Sequence, residues 1–152
     1  MSLLLDTSTI SELRAGRDAN VAAWAEASDR RGWYLSVLTL GEIRKGIEKL
    51  RPRDPERAAA FDRWLETLYR QFGGRLVGID AQVAEEWGRL NAGRPRPTVD
   101  GLIAASARVR GLTVVTRNTA DFEPLDVPLV NPWLAGERSW RPRSSGSGLG
   151  GA

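Results

Sequence analysis

Short β-rich runs alternating with amphipathic helical stretches predict an α/β fold, a three-layer α/β/α sandwich around a central, mostly parallel sheet. The run Leu3-Leu4-Leu5 is continuously apolar and closes on Asp6, Thr7 and Ser8, as a strand buried on both faces of a parallel sheet does. Further β-rich runs follow at 33–38, 76–79 and 112–115, with helical periodicity between them. At 152 residues the chain is one domain by length. That domain is assigned to residues 1–134, and the Arg/Ser/Gly-rich tail at 135–152 reads as disordered.

In the first helix Ser8 and Thr9 offer capping hydroxyls, and Glu12 lies in an early turn. Residues 20–25 predict a second helix with Val21 and Trp24 inward. After the second strand at 33–38, Thr39 is placed to cap a helix whose Leu40, Ile43, Ile47 and Leu50 follow helical spacing. Glu42 then falls in the first turn, and Gly46, one turn on, permits a close approach by another group. Pro52 and Pro55 break the chain before a long helix carrying Phe61, Trp64, Leu65, Leu68, Tyr69 and Phe72 on one stripe. Helical spacing accounts for all six, so they predict core or protein interface ahead of base stacking. Gly73-Gly74 stops that helix, 76–79 form the third strand, and Asp80 caps a helix with Val83, Trp87 and Leu90. The breaker-rich loop at 91–97 leads to a helix capped by Thr98 and stopped by Gly111. Residues 112–115 form the fourth strand, and 127–130 a last edge strand, because Pro128 cannot serve a central one.

The chain has neither cysteine nor histidine. Disulfides, ordinary protein zinc or copper sites and Ser-His-Asp or Cys-His catalysis are therefore excluded, leaving carboxylates, hydroxyls, Lys and Arg. Carboxylate oxygens suit magnesium and manganese. No stretch approaches the ~18 consecutive apolar residues of a membrane span, and Met1-Ser2-Leu3 lacks a secretory signal pattern, so the expected location is cytoplasmic. The net charge of +3 is compatible with a nucleic-acid partner.

The topology predicts where the acids meet. Asp6 ends a strand, Glu42 and Asp100 open helices at the carboxyl edge, and Asn118 and Asp121 follow the fourth strand. In open α/β sheets ligands bind at that edge. Carboxylates ~5 Å apart repel by roughly 3 kcal/mol per pair at an effective dielectric near 20, so four of them require a cation. Each acid also has a bland alternative: Asp6 as a helix cap, Glu42 and Asp100 as residues favoured at helix N-termini, Asp121 as a turn residue. Asp18, Asp29, Asp54, Asp80 and Asp126 show no such convergence and read as caps and turns.

Four blocks, at 3–8, 38–46, 99–107 and 113–122, together with Asn131-Pro132-Trp133, resemble the PIN domain, a Rossmann-like fold, and within it the VapC and FitB toxins of bacterial toxin-antitoxin pairs. The resemblance covers about residues 1–134. It implies a magnesium- or manganese-dependent endoribonuclease that is dimeric, restrained by a VapB-like antitoxin, and able to join a larger assembly on operator DNA. It carries catalytic roles onto Asp6, Glu42, Asp100 and Asp121, with Asp6 and Asp100 as leading metal ligands and Glu42 and Asp121 as a second tier. Some relatives have an Asp at Asn118, where this chain has an uncharged amide. Thr7, Ser8, Thr116 and Asn118 are candidates for positioning water or phosphate, and Arg14, Arg44 and Arg117 for contacting the RNA backbone. Two other functions compete: a non-catalytic module binding operator DNA with its antitoxin, and a structure-specific DNA nuclease.

Overall fold

The structure is a computed structural model and describes residues 1–93, 96–136 and 140–143. Its strands are β1 (Leu3–Leu5), β2 (Trp33–Ser36), β3 (Leu76–Val77), β4 (Thr113–Val115), β5 (Leu129–Val130) and β6 (Trp140–Arg141). They form one sheet in the order β3-β2-β1-β4-β5-β6. All pairings are parallel except β5 with β6. The helices are α1 (Thr7–Ala15), α2 (Ala19–Ala27), α3 (Val37–Leu50), α4 (Pro55–Phe72), α5 (Ala81–Asn91), α6 (Thr98–Arg110) and α7 (Thr119–Phe122).

Alternation along the strands sorts the core into two layers. Leu3 and Leu5 face a cluster built with Ile10, Ala25, Ile43, Ile47, Leu65 and Leu68 from α1–α4. Leu4 faces the opposite cluster, with Ile103, Ala104 and Ala107 of α6 and Phe122 of α7. β1 is thus covered on both sides, and Leu4 and Leu5 have no exposed surface, which is why it tolerates no polar residue before Asp6. No helix among the described residues is long and apolar enough to cross a membrane.

Several boundaries differ from expectation. β2 ends at Ser36, whose hydroxyl oxygen accepts from Leu38 N at 3.1 Å. Helix α3 therefore starts at Val37, Thr39 is buried inside it rather than capping it, and Glu42 lies in its second turn. Thr98 is the first residue of α6 and makes no side-chain cap; Pro97 holds the cap position. β5 is not an edge strand, because β6 pairs outside it. Pro128 precedes β5 and still contributes its carbonyl, which accepts from Val114 N at 3.0 Å. Within the tail read as disordered, Trp140–Arg141 form β6, while 137–139 and 144–152 lie outside the described residues. Asp18, Asp29, Asp54 and Asp80 do accept capping bonds. Asp126 takes a left-handed turn conformation at φ 51°.

Candidate active site

The strand register sets one polar row across the sheet. Leu5 lies level with Leu35 and Val115, and Val115 with Val130. One residue further on, β1, β2, β4 and β5 carry Asp6, Ser36, Thr116 and Asn131, all buried, while Val77 of β3 lies level with Ser36. Strand order reverses between β1 and β4, so this row crosses the topological switch point where α/β sheets bind ligands.

A hydrogen bond spans that point: Thr116 Oγ1 donates to Asp6 Oδ2 at 2.5 Å. The other oxygen, Asp6 Oδ1, accepts from Ser8 Oγ at 2.8 Å and from Thr9 N at 2.9 Å, the latter capping α1. Thr9 Oγ1 lies 2.9 Å from both Asp6 Oδ1 and Val115 O, and its single proton serves one of them at a time. Asp6 is therefore both the cap and a rim carboxylate, and Oδ2 keeps lone-pair capacity that Thr116 does not use. Glu42 reaches the rim from the second turn of α3, where Thr7 Oγ1 donates to its Oε1 at 2.5 Å.

Asp100 stands in the first turn of α6. Burial holds its carboxyl above the usual carboxylate range, and the charges of Asp121, Asp6 and Glu42 push it further the same way. The four acids thus share one electrostatic neighbourhood. None of them is ion-paired with Arg or Lys among the described residues, in contrast to Asp29, Glu48, Asp62, Asp80, Glu86, Glu123 and Asp126. Among the described residues, no three acids are already gathered closely enough to enclose a cation.

The remaining candidates divide. Thr7, Ser8 and Thr116 join the acids through the bonds above. Asn118 is exposed; its backbone N donates to Thr116 Oγ1 at 3.0 Å, and its side chain caps nothing. The cationic candidates are engaged elsewhere. Arg14 stacks over Phe61 at 3.9 Å, Arg44 pairs with Asp62 at 2.7 Å and Arg117 lies over the Trp133 ring at 5.5 Å. Thr9, Ser36 and Asn131 are absent from the sequence candidates. Strand register, which sequence spacing does not reveal, sets Ser36 and Asn131 level with Asp6, whereas Thr9 reaches Asp6 through the N-cap of α1, a local contact that the three-residue spacing could have suggested.

Residues 3–127 match the PIN domain family. Toxin FitB of Neisseria gonorrhoeae is 34% identical over 137 residues, covering 86% of this chain and 98% of that protein. VapC ribonuclease Y4jK of Sinorhizobium fredii is 33% identical over 137 residues, covering 86% of this chain and 97% of that one. The fold also resembles a chain in the structure of FitAB bound to an IR36 DNA fragment. There the TM-score is 0.81 at 32% identity, over 89% of this chain and 98% of that chain.

Proposed function

Because the chain belongs to the PIN-domain family, among its VapC/FitB-type toxins, we propose that it is a metal-dependent endoribonuclease, the toxin of a toxin-antitoxin pair, working in the cytoplasm. What supports the reading is the match to the PIN family and to toxin relatives, together with the common influence of Asp121, Asp6 and Glu42 on Asp100, none of the four being ion-paired among the described residues. The donor set fits a hard divalent cation, since it offers carboxylate oxygens with hydroxyls behind them.

Asp6 and Asp100 would hold magnesium or manganese, with Glu42 and Asp121 completing its surroundings. When bound, the ion supplies activation of the attacking water and neutralisation of charge at the phosphodiester. Ser8, Thr9 and Thr116 fix the Asp6 carboxylate, and Thr7 fixes Glu42, so that both arrive oriented. Asp121 is favoured over Asn118 as the fourth member, because its charge acts on Asp100 while Asn118 is an uncharged, exposed amide. In the hydrolysis, water adds to phosphorus, the phosphorus–oxygen bond to the leaving nucleoside breaks, and the proton released by water ends on the leaving oxygen or in solvent. The DNA-bound structures of FitAB and of VapBC from Salmonella typhimurium support a VapB-like antitoxin and DNA as partners; the homodimer is what the family resemblance implies.

The test is cleavage of total RNA by purified protein freed of any partner, with magnesium or manganese and with EDTA, beside Asp6→Ala and Asp100→Ala. Discrete fragments that require metal and disappear in both folded variants are expected. Fragments that persist in EDTA, or in either variant, overturn the reading.

A further inference from the structure

The chain has 22 basic residues, and only two of them are lysines, Lys45 and Lys49. Both lie on α3, one turn apart, and so on one face. The arginines around them turn away: Arg44 and Arg51 pair with Asp62 of α4, and both also bond Glu48. Neither lysine has an ion-pair or hydrogen-bond partner among the described residues.

The lysine face forms one wall of a groove of about 510 Å³, with Val37, Gly41 and Glu42 on α3 and Val99 on α6. Glu42 and Val99, the neighbour of Asp100, place one end of this groove at the acid rim. From there it passes Lys45 and then Lys49, roughly 10 Å along the helix axis from Glu42 at 1.5 Å per residue. Gly41 and Gly46 also line it, and a Cβ at either would meet nothing in the chain. Their bareness is not needed for packing within the protein, yet it lowers the groove floor to the helix backbone. Among the described residues no aromatic ring lines the groove, so they offer no platform for base stacking there. Two unpaired ammonium groups over an open floor instead complement a polyanionic backbone.

We propose that this groove is a phosphate track: Lys45 and Lys49 seat the sugar-phosphate backbone of the RNA strand as it leaves the acid rim. The inference rests on the ribonuclease reading and deepens it. The track positions the strand without reading its sequence, and the two lysines contribute to substrate capture rather than to bond cleavage.

The experiment measures initial cleavage rates against total-RNA concentration, in magnesium and over a series of potassium chloride concentrations. It compares the wild type, Lys45→Ala/Lys49→Ala and Lys45→Arg/Lys49→Arg, with the mass of each in solution measured by light scattering. The alanine pair is expected to raise the apparent KM about tenfold and leave kcat within about twofold, because phosphate contacts act on binding. The slope of log(kcat/KM) against log[salt] should become shallower by roughly 1.4, at ~0.7 for each single-strand phosphate that a lysine neutralises. The arginine pair should restore both. Wild-type cleavage with an unchanged KM and salt slope in the alanine pair overturns the track and leaves the ribonuclease reading standing. A change of mass with an unchanged slope also overturns it, by making this face a contact between copies of the chain. Wild-type protein that cuts no RNA overturns both.

Discussion

Asp6 satisfies two demands at once. Its Oδ1 caps α1 through Thr9 N, while Thr116 from the neighbouring strand holds Oδ2. In sequence, capping and ligation compete to explain the same carboxylate; the geometry lets both be true. Asp100 has no such donors among the described residues to offset its surroundings; burial and three nearby acids favour its protonated form. The folded protein therefore binds that proton more tightly than the unfolded chain does. The resulting stability is full at low pH and declines as pH rises from the usual carboxylate range through the raised value. In metal-free protein at neutral pH the charged Asp100 is a cost. Asp100→Asn should raise the metal-free Tm by about 1–3 °C at pH 7 and flatten its decline as pH rises above the usual carboxylate range, measured by calorimetry; an unchanged pH profile would contradict this. At this scale the acids are legible because strand ends and helix starts are visible in sequence. Ser36 and Asn131 are not, since a hydroxyl or amide at a strand end looks the same whether or not its neighbours are level with it; Thr9 is hidden for another reason, because its hydroxyl reads as that of an ordinary helix-start residue.

The elements carrying the acids are set by packing as much as by capping. Helix α6 brings Asp100 to the rim with Gly101 beside it, and a Cβ there would stand 2.8 Å from Asn91 Nδ2 and 3.1 Å from Trp87 Cδ1 of α5. Asn91 has little freedom to yield, because its Nδ2 donates to Trp87 O at 2.8 Å. Gly101→Ala should therefore push the first turn of α6 away from α5. We expect a destabilisation of about 1–3 kcal/mol, as for overpacking elsewhere, and at least a tenfold drop in kcat, read by denaturant unfolding and RNA cleavage; wild-type values in both would show that the neighbours yield freely. The sequence suggests a helix over this stretch but not the crowding at Gly101, which depends on a second helix. In the same way Val37 and Leu38 look β-rich, yet the Ser36 cap starts α3 before them. Pro128 looks like an edge marker because β6, which follows β5 closely in the chain, falls in a tail whose composition reads as disordered.

At the scale of the whole molecule, the order β3-β2-β1-β4-β5-β6 puts β1 and β4 side by side at the point of reversal. Parallel strands present their carboxyl ends to one edge, and there the charges of Asp6, Glu42 and Asp121 all act on Asp100. Alternation of strands and helices in sequence predicts such an edge, whereas strand order and register need the folded chain. The two cores explain why the row can stay polar: Leu3 and Leu5 pack on one side and Leu4 on the other, leaving the edge itself to hydrogen bonds. The proposed ribonuclease activity requires a divalent cation at this edge, held by Asp6 and Asp100 with Glu42 and Asp121 beside them. Calorimetric titration of metal-free protein with manganese, for the wild type, Asp6→Asn and Asp100→Asn, tests it most directly. Saturable binding is predicted for the wild type, weakened at least tenfold, or about 1.4 kcal/mol, in each folded variant. No saturable heat in the wild type, or unchanged affinity in both folded variants, would contradict the account.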